Sequence, residues 1–542
     1  MVVKNMERRD FIKALLAGLA MTTLDWSALP KAVGAQSEGD GFDAVIIGSG
    51  LGGLSCAAAF ARQGFKPLVL EKHYVPGGYA TTFKRDKFVF DVSLHSTSVG
   101  ERGGVHNLIP GFPEITDVEF VPHPNLYRAK YPEHDFRVPQ RDLEGYIKML
   151  VGYFPDEKEG IEGLFNDMKG VSRDINKLMQ AKGQVDMRKF PIEFPDLFKC
   201  YTKTWGQMVD ERVKNPKLKA IVSSQWGYYG LPPSKLAGYY YAMPAIDYLQ
   251  NGGYYPIGKS QKISDALVKF IQDRGGKVIL ETKVDKILTK DHAAYGVLTA
   301  DGQEFKGKVI ISNANAYDTF HTMMEQDEYL KDYLARMDGF SVSLSSFQVF
   351  LGLKKNLVKD LGIEDTEIFY ACAYDPEADY RGAVKGDVGG GYGLTLYDNL
   401  YDKYSPKGKN TINIITIQGY EFWEKYEPDY FEGKKSRYKA EKERMADILI
   451  DEVERTLLPG LRKAIDIKEI GTPLTNLRYT GNYRGAIYGW DQTLDNSGPN
   501  RLGHETPIKN LYLAGAWTQP GHGYGGVIWS GLECFGEIMQ KW

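Results

Sequence analysis

The stretch FDAVIIGSGLGGLSCAAAFARQGFKPLVLEKH, Phe42–His73, decides the fold. The apolar run Ala44–Ile47 ends in Gly48 and reads as a buried strand. Gly48-Ser49-Gly50-Leu51-Gly52-Gly53 fits G-x-G-x-x-G, and a small-residue apolar helix follows through Ala61. A second strand, Pro67–Leu70, ends at Glu71, which stands 23 residues after Gly48. Each part has a physical task. Gly48 permits the tight turn, Gly50 lets the backbone approach a pyrophosphate, and Gly53 lets helix and strand pack closely. The helix N-terminus offers unpaired N–H groups and a positive dipole end to that pyrophosphate. Glu71 stands where an acid binds a ribose 2′-hydroxyl and would repel a 2′-phosphate. Strand, glycines, helix, strand and acid, in this order, predict a dinucleotide-binding unit.

The next residues specify the dinucleotide. EKHYVPGGYATTFKRDKFVFDVSLH, Glu71–His95, sets Gly77-Gly78 shortly after the acid. Here the chain resembles the flavoprotein class of amine oxidases and carotenoid desaturases, in which such a pair brings a second backbone segment to the FAD diphosphate. It is most similar to carotenoid cis-trans isomerases and retinol saturases, relatives of bacterial phytoene desaturases. Glu71-Lys72, Pro76-Gly77-Gly78 and Arg85-Asp86 through Asp91 match their pattern. Amine oxidases usually carry Arg directly after the glycine pair; here it is Tyr79. The resemblance implies FAD, and an α/β fold: a discontinuous Rossmann-type FAD-binding domain with a mixed α+β substrate-binding domain, amine-oxidase- and phytoene-desaturase-like.

Two later segments return to the cofactor. NGGYYPIGKSQKISDALVKFIQDRGGKVILETKVDKI begins at Asn251, with a helical pattern over Ile263–Arg274 and a strand at Lys277–Leu280. By resemblance, the Val284 backbone meets the adenine. Strands on either side of Asp301-Gly302 read as a hairpin. IKNLYLAGAWTQPGHGYGGVIWSGLECFGEIM, from Ile508, holds a strand over Leu511–Ala514, Gly515, and a glycine-rich turn, Gly521–Gly526, that opens a last helix. In the relatives this helix points its N-terminus at the flavin, where its dipole stabilises negative charge on the reduced ring. Gly525, Gly526 and Val527 are the expected contacts. Ala516 stands where flavoproteins often carry Asp, so that contact is lost or passes to a backbone N–H. The FAD-binding domain is expected at 41–110, 250–320 and 470–542, and the substrate-binding domain at 111–249 and 321–469.

The segment Ser223–Pro256 is dense in Tyr and Trp and reads either as the wall of a tunnel for an elongated apolar molecule or as ordinary core. Trp517 and Arg484–Trp490 are further wall candidates. His95, His522 and Tyr524 are the catalytic candidates, to move a proton or orient substrate. The resemblance implies hydride transfer at flavin N5 to or from a C–C bond of a hydrophobic polyene, isoprenoid or lipid, as desaturation, saturation or cis-trans isomerisation. A flavin amine oxidase and a non-catalytic FAD-containing carrier of an apolar ligand are the alternatives.

A net charge of -3 over 542 residues, without a long basic block, argues against nucleic acid. The nine histidines form no zinc-type cluster, and Cys56, Cys200, Cys372 and Cys534 are expected as buried free thiols. Arg8-Arg9, a short apolar run and Ala32–Gln36 follow the order of an export signal, and the RRDFIK run resembles a twin-arginine signal. The expectation is a signal over 1–35, export to the periplasm, and a quinone, cytochrome or oxygen as electron partner. Peripheral membrane contact stays open, though no amphipathic anchor stands out.

Overall fold

The computed structural model describes Pro30, Lys31 and residues 41–542, except 94, 99, 103, 104, 108, 110, 181–185, 187 and 326. Apart from Pro30 and Lys31, the expected export signal lies outside the described residues.

Two seven-stranded sheets organise the α/β fold. In the first, Lys277–Ile279, Pro67–Leu70, Phe42–Ile47, Glu304–Ser312 and Leu511–Leu513 lie side by side and parallel. Glu304–Ser312 serves two partnerships. Its first residues pair antiparallel with Ala293–Thr299, and its last residues sit between Phe42–Ile47 and Leu511–Leu513. Pro67–Leu70, Leu511–Leu513, the last four residues of Phe42–Ile47 and the last four residues of Glu304–Ser312 are buried without alternation, because both faces of the layer are covered. Helix Leu51–Arg62 packs on helices Tyr524–Lys541 and Gln261–Gln272. Small residues let the first two approach closely: a Cβ on Gly531 would lie 2.2 Å from the Gly52 carbonyl oxygen. Ser55 Oγ donates across this crossing to the Ile528 carbonyl at 3.0 Å.

The second sheet runs Ile465–Gly471, Ser345–Leu353, Asn410–Gln418, Gly391–Thr395, Glu367–Ala371, Asn125–Lys130, Asp135–Pro139. It is antiparallel except where Glu367–Ala371 meets Asn125–Lys130. Ser345–Leu353 is buried on both faces, and its period of two assigns each face a task. Phe347, Val349, Leu351 and Leu353 pack in the core with Leu449, Ile450 and Val453 of helix Ser436–Thr456. Ser346, Gln348 and Phe350 face a cavity instead. Helices Lys158–Gln180 and Gly238–Asn251 close that cavity from the far side, over a third core of their own.

Three of the four cysteines are buried as expected, but Cys372 is exposed, because it stands just beyond the end of strand Glu367–Ala371.

Candidate functional site

The strand Phe42–Ile47 delivers the glycine turn to one end of the cavity. Gly48 adopts φ +91°, the left-handed region that favours glycine. A Cβ on Gly50 would lie 2.8 Å from Asn313 Nδ2, and one on Gly52 would lie 2.7 Å from both Asn313 Oδ1 and Gly515 Cα. Gly53 packs inward, its Cβ position 2.3 Å from the Gly48 carbonyl oxygen. Helices Leu51–Arg62 and Tyr524–Lys541 both begin after glycine N-caps, Gly50 and Gly523, with no side chain accepting from their first N–H groups. Those groups are left for a ligand.

The glycine pair closes over the first turn. Gly77 N donates to the Ser49 carbonyl at 3.0 Å, and Gly78, at φ +61°, leaves its Cβ position 3.3 Å from Gly50 Cα. Glu71 Oε2 accepts from Ser49 N at 2.8 Å and Ser49 Oγ at 2.7 Å, while Oε1 accepts from His73 N at 2.9 Å. Carboxylate oxygens each carry two lone pairs, so a ribose hydroxyl can still be bound. Ser49 is fully buried, and like Gly53 it supports the turn from behind; Gly48, Gly50, Leu51 and Gly52 line the cavity. Lys72 lines it too, beside Gly481, its ammonium lowered first by burial and sustained by Glu71 and Asp318. Val284, Gly515, Ala516, Gly525, Gly526 and Val527 share the lining.

The cavity encloses about 1250 Å³. That exceeds the roughly 300–1,000 Å³ of a pocket for one small molecule. From the glycines it runs on between the second sheet and the capping helices as an aromatic passage that includes Tyr228, Tyr229, Tyr240, Tyr248, Phe369 and Tyr488. The Tyr-rich segment therefore divides. Tyr239, Tyr241, Tyr254 and Tyr255 are buried core residues, with Tyr241 stacked on Trp205 at 4.2 Å. Trp517 joins the lining, whereas Trp490 packs behind it at 4.8 Å.

All three catalytic candidates reach this passage. Tyr524 OH donates to the Tyr79 carbonyl at 3.3 Å and meets Ser93 Oγ at 3.4 Å; burial, then Asp91, raises its phenol far above its ordinary value. His522 lies against Tyr488, ring centres 4.3 Å apart and planes tilted by 34°, and burial, then Arg501, push it down to about 3. His95 differs, because its Nδ1 lies 2.5 Å from Glu367 Oε1, which also accepts from Tyr228 OH at 2.6 Å.

Sequence reading did not single out Asn313, Glu367, Tyr228 or Arg501. Asn313 follows the strand Glu304–Ser312 and wedges between Gly52 and Gly515; its signal was the polar SNAN run at a strand end. Arg501 is buried, and its guanidinium donates to the carbonyls of Trp490, Asp491, Asn496, Ala516 and Thr518. Burial lowers it to about 10. It fixes the loop that follows Gly515, and one isolated Arg gave no signal of that. Among the described residues no group of three or more His, Cys, Asp or Glu is arranged to hold a metal, and no helix is long and apolar enough to cross a membrane.

Comparison with known proteins agrees with this geometry. Residues 46–105 match the NAD(P)-binding Rossmann-like domain. The chain is 28% identical over 530 residues to prolycopene isomerase 1, chloroplastic, of an Oncidium hybrid cultivar, covering 94% of this chain and 87% of that protein. It is 26% identical over 529 residues to the all-trans-retinol 13,14-reductase of Danio rerio, covering 92% and 86%. Among solved structures, a putrescine oxidase bound to putrescine superposes with a TM-score of 0.60 at 12% identity, covering 92% and 99%. The resemblance read from the motifs thus extends along the chain: this is an enzyme with a Rossmann-type α/β fold, homologous over more than nine-tenths of its length to proteins named prolycopene isomerase and all-trans-retinol 13,14-reductase.

Proposed function

We propose that the protein is an FAD-dependent oxidoreductase acting on carbon–carbon bonds of a hydrophobic polyene, isoprenoid or lipid, by desaturation, saturation or cis-trans isomerisation. One observation carries this reading: a single cavity joins the glycine cradle to an aromatic passage. The cradle fits the cofactor. Gly48, Gly50, Gly52, Gly77 and Gly78 leave the space that a diphosphate needs, Glu71 would hold a ribose, and the two uncapped helix ends would face its negative charge. When bound, the flavin supplies two-electron hydride chemistry. The chain's own part is to bind and orient an elongated molecule against the glycine-rich end of helix Tyr524–Lys541, to keep water from the passage, and to handle protons there. Tyr79 disfavours amine oxidation. Where amine oxidases usually carry Arg, its hydroxyl donates to the Ala486 carbonyl at 3.2 Å. The names of the homologous isomerases and reductases support the polyene class.

Export by the twin-arginine route belongs to the same proposal. That route carries folded proteins, so FAD is loaded where it is made, and an exported enzyme then exchanges electrons with a quinone, a cytochrome or oxygen. The test is anaerobic. Polyenes, retinoids and unsaturated lipids are added to the oxidised and to the photoreduced protein, flavin absorbance is followed, and products are identified by mass. Bleaching or recovery with an altered alkene supports the reading; no response to any apolar alkene overturns it. Rapid stoichiometric reduction by NADPH would overturn the proposed electron source.

A further inference from the structure

Adding or removing hydrogen across a carbon–carbon bond needs two transfers of different kind. A hydride carries the electron pair, and a proton balances it at the neighbouring carbon. The hydride belongs to the redox cofactor of the proposed function, on which this inference rests. The proton needs a group on the chain, and the passage wall is mostly aromatic.

Of the three candidates, two are poorly suited. Tyr524 holds its proton too tightly to act as a base, and His522 is too hard to protonate to act as an acid. His95 has a different setting. It comes from the segment after hairpin Thr82–Arg85/Phe88–Asp91, only two residues beyond Ser93, whose Oγ donates to the Tyr79 carbonyl at 2.9 Å beside Tyr524. Glu367 begins the strand that lies against Asn125–Lys130, and it is itself 1% exposed. Tyr228 comes from the short turn Trp226–Tyr228. Three remote segments therefore meet on one carboxylate oxygen. The Tyr228 phenol, raised well above its ordinary value first by burial and then by Glu367, stays protonated and donates to Oε1. Oε1 is thus an acceptor, so His95 Nδ1, 2.5 Å away, is the protonated ring nitrogen. The carboxylate fixes the tautomer and leaves Nε2 for the cavity, which His95 lines and Glu367 does not.

We propose that His95 is the catalytic acid–base of this enzyme, exchanging a proton through Nε2 with the substrate carbon next to the one that gains or loses hydride, and that Glu367 and Tyr228 are its positioning residues. In saturation the His95 imidazolium gives up its Nε2 proton as the C=C bond becomes two C–H bonds. In desaturation neutral His95 takes the proton at Nε2 as two C–H bonds become one C=C bond. In both, the two redox electrons travel with the hydride, while the pair of the C–H bond that trades its proton becomes, or comes from, the C=C π bond. Glu367 Oε1 lies 2.5 Å from Nδ1, so the proton transfer does not leave an unpaired charge in the passage. The titratable groups around the pair are Tyr127, Tyr228, Tyr248, Tyr397 and His123, and burial holds His123 down to about 4, so at neutral pH it adds no competing charge.

The test uses the FAD-loaded full chain. Nitrogen-15 histidine spectra of the wild type should show, beside the rings of His73 and His504 that donate from Nδ1 to carbonyls, a protonated Nδ1 that is lost in His95→Gln and altered in Glu367→Gln. With an alkene found by the anaerobic screen, Glu367→Gln and His95→Gln should bind FAD and substrate within about threefold of wild type. Their kcat should fall by about 10²–10⁴-fold, the usual range for a general acid–base. Glu367→Asp should recover part of the loss, and the solvent deuterium effect on kcat should disappear in His95→Gln. A wild-type His95 protonated at Nε2 and bare at Nδ1 overturns the proposal whether or not an alkene is found. Wild-type kcat in His95→Gln overturns it while leaving the polyene reading intact. If no alkene reacts, the polyene reading fails, and the tautomer alone decides the assignment of the pair.

Discussion

Two alanine substitutions in the cradle separate what the chain needs from what the cofactor needs. At Gly52 a methyl would meet Asn313 Oδ1 and Gly515 Cα, both at 2.7 Å. Backbone on one side and a wedged side chain on the other leave it nowhere to go. Overpacking of this kind costs about 1–3 kcal/mol. Part of that is relieved by pushing Gly515 and its loop away, which deforms the site that FAD is proposed to fill. At Gly525 no described atom lies within 4 Å of the added methyl. In the first turn of helix Tyr524–Lys541, alanine should stabilise the apoprotein by up to about 1 kcal/mol. The bound dinucleotide is then what the methyl would meet. Gly52→Ala should therefore lower both apoprotein stability and FAD affinity, and Gly525→Ala should lower affinity alone. A loss of 1–3 kcal/mol corresponds to a rise in Kd of about 5- to 150-fold. Reconstitution titrations of apoprotein, followed by quenching of FAD fluorescence, give Kd; thermal melts of apo and loaded protein give stability. Gly152→Ala, also open within 4 Å of described atoms but on helix Leu143–Tyr153 outside the cavity lining, is the control and should leave Kd unchanged. An unchanged Kd in Gly525→Ala would refute the view that this helix end abuts the cofactor.

Arg501→Met strips five buried carbonyls of their donor, each bond to a charged group contributing about 1.5–3 kcal/mol; the variant should purify without FAD and melt well below wild type, whereas a loaded protein with wild-type melting would show the carbonyls to be satisfied otherwise. Asp491 is pushed up to about 6 by burial, so the folded state binds the extra proton and favours the neutral acid. Its penalty is absent below pH 4 and develops as pH rises to 6, so Asp491→Asn should match wild-type stability at pH 4 and exceed it by about 3 kcal/mol above pH 6; a gap that does not change with pH would contradict the assignment. Replacing both Arg8 and Arg9 by Lys should leave FAD-loaded protein in the cytoplasm on fractionation, and unaffected export would remove the twin-arginine reading.

How much of this was legible follows from how local each feature is. The glycine turn, Glu71 and the Gly77-Gly78 pair are contiguous, and their backbone demands are written in residues with no alternative. The strand Glu304–Ser312 was legible as part of a hairpin, but its second partnership in the parallel layer depends on Phe42–Ile47, far away in sequence. Asn313 matters only because that pairing brings it to Gly52 and Gly515. The Tyr-rich segment could not be divided into wall and core by composition, since one helix, Gly238–Asn251, sends Tyr240 and Tyr248 to the cavity and Tyr239 and Tyr241 inward.

The His95–Glu367 pair shows why catalytic chemistry was the least legible layer. Its members are 272 residues apart, and only His95 stands beside a motif. What joins them is the position of the second sheet relative to the first. Strand Glu367–Ala371 lies parallel to Asn125–Lys130, and its first residue, Glu367, meets His95 in the segment that follows hairpin Thr82–Arg85/Phe88–Asp91. The segment after hairpin Thr82–Arg85/Phe88–Asp91 thus supplies the histidine, and the second sheet supplies its carboxylate. A proton-handling pair built across that seam depends on both halves being docked. Loosening the hairpin contact, for instance through Phe350, which meets Phe83 at 5.0 Å and Phe90 at 5.8 Å, should move the His95 tautomer and kcat together while leaving the glycine cradle in place. The same coupling makes the seam, rather than either sheet alone, the unit on which the chemistry depends.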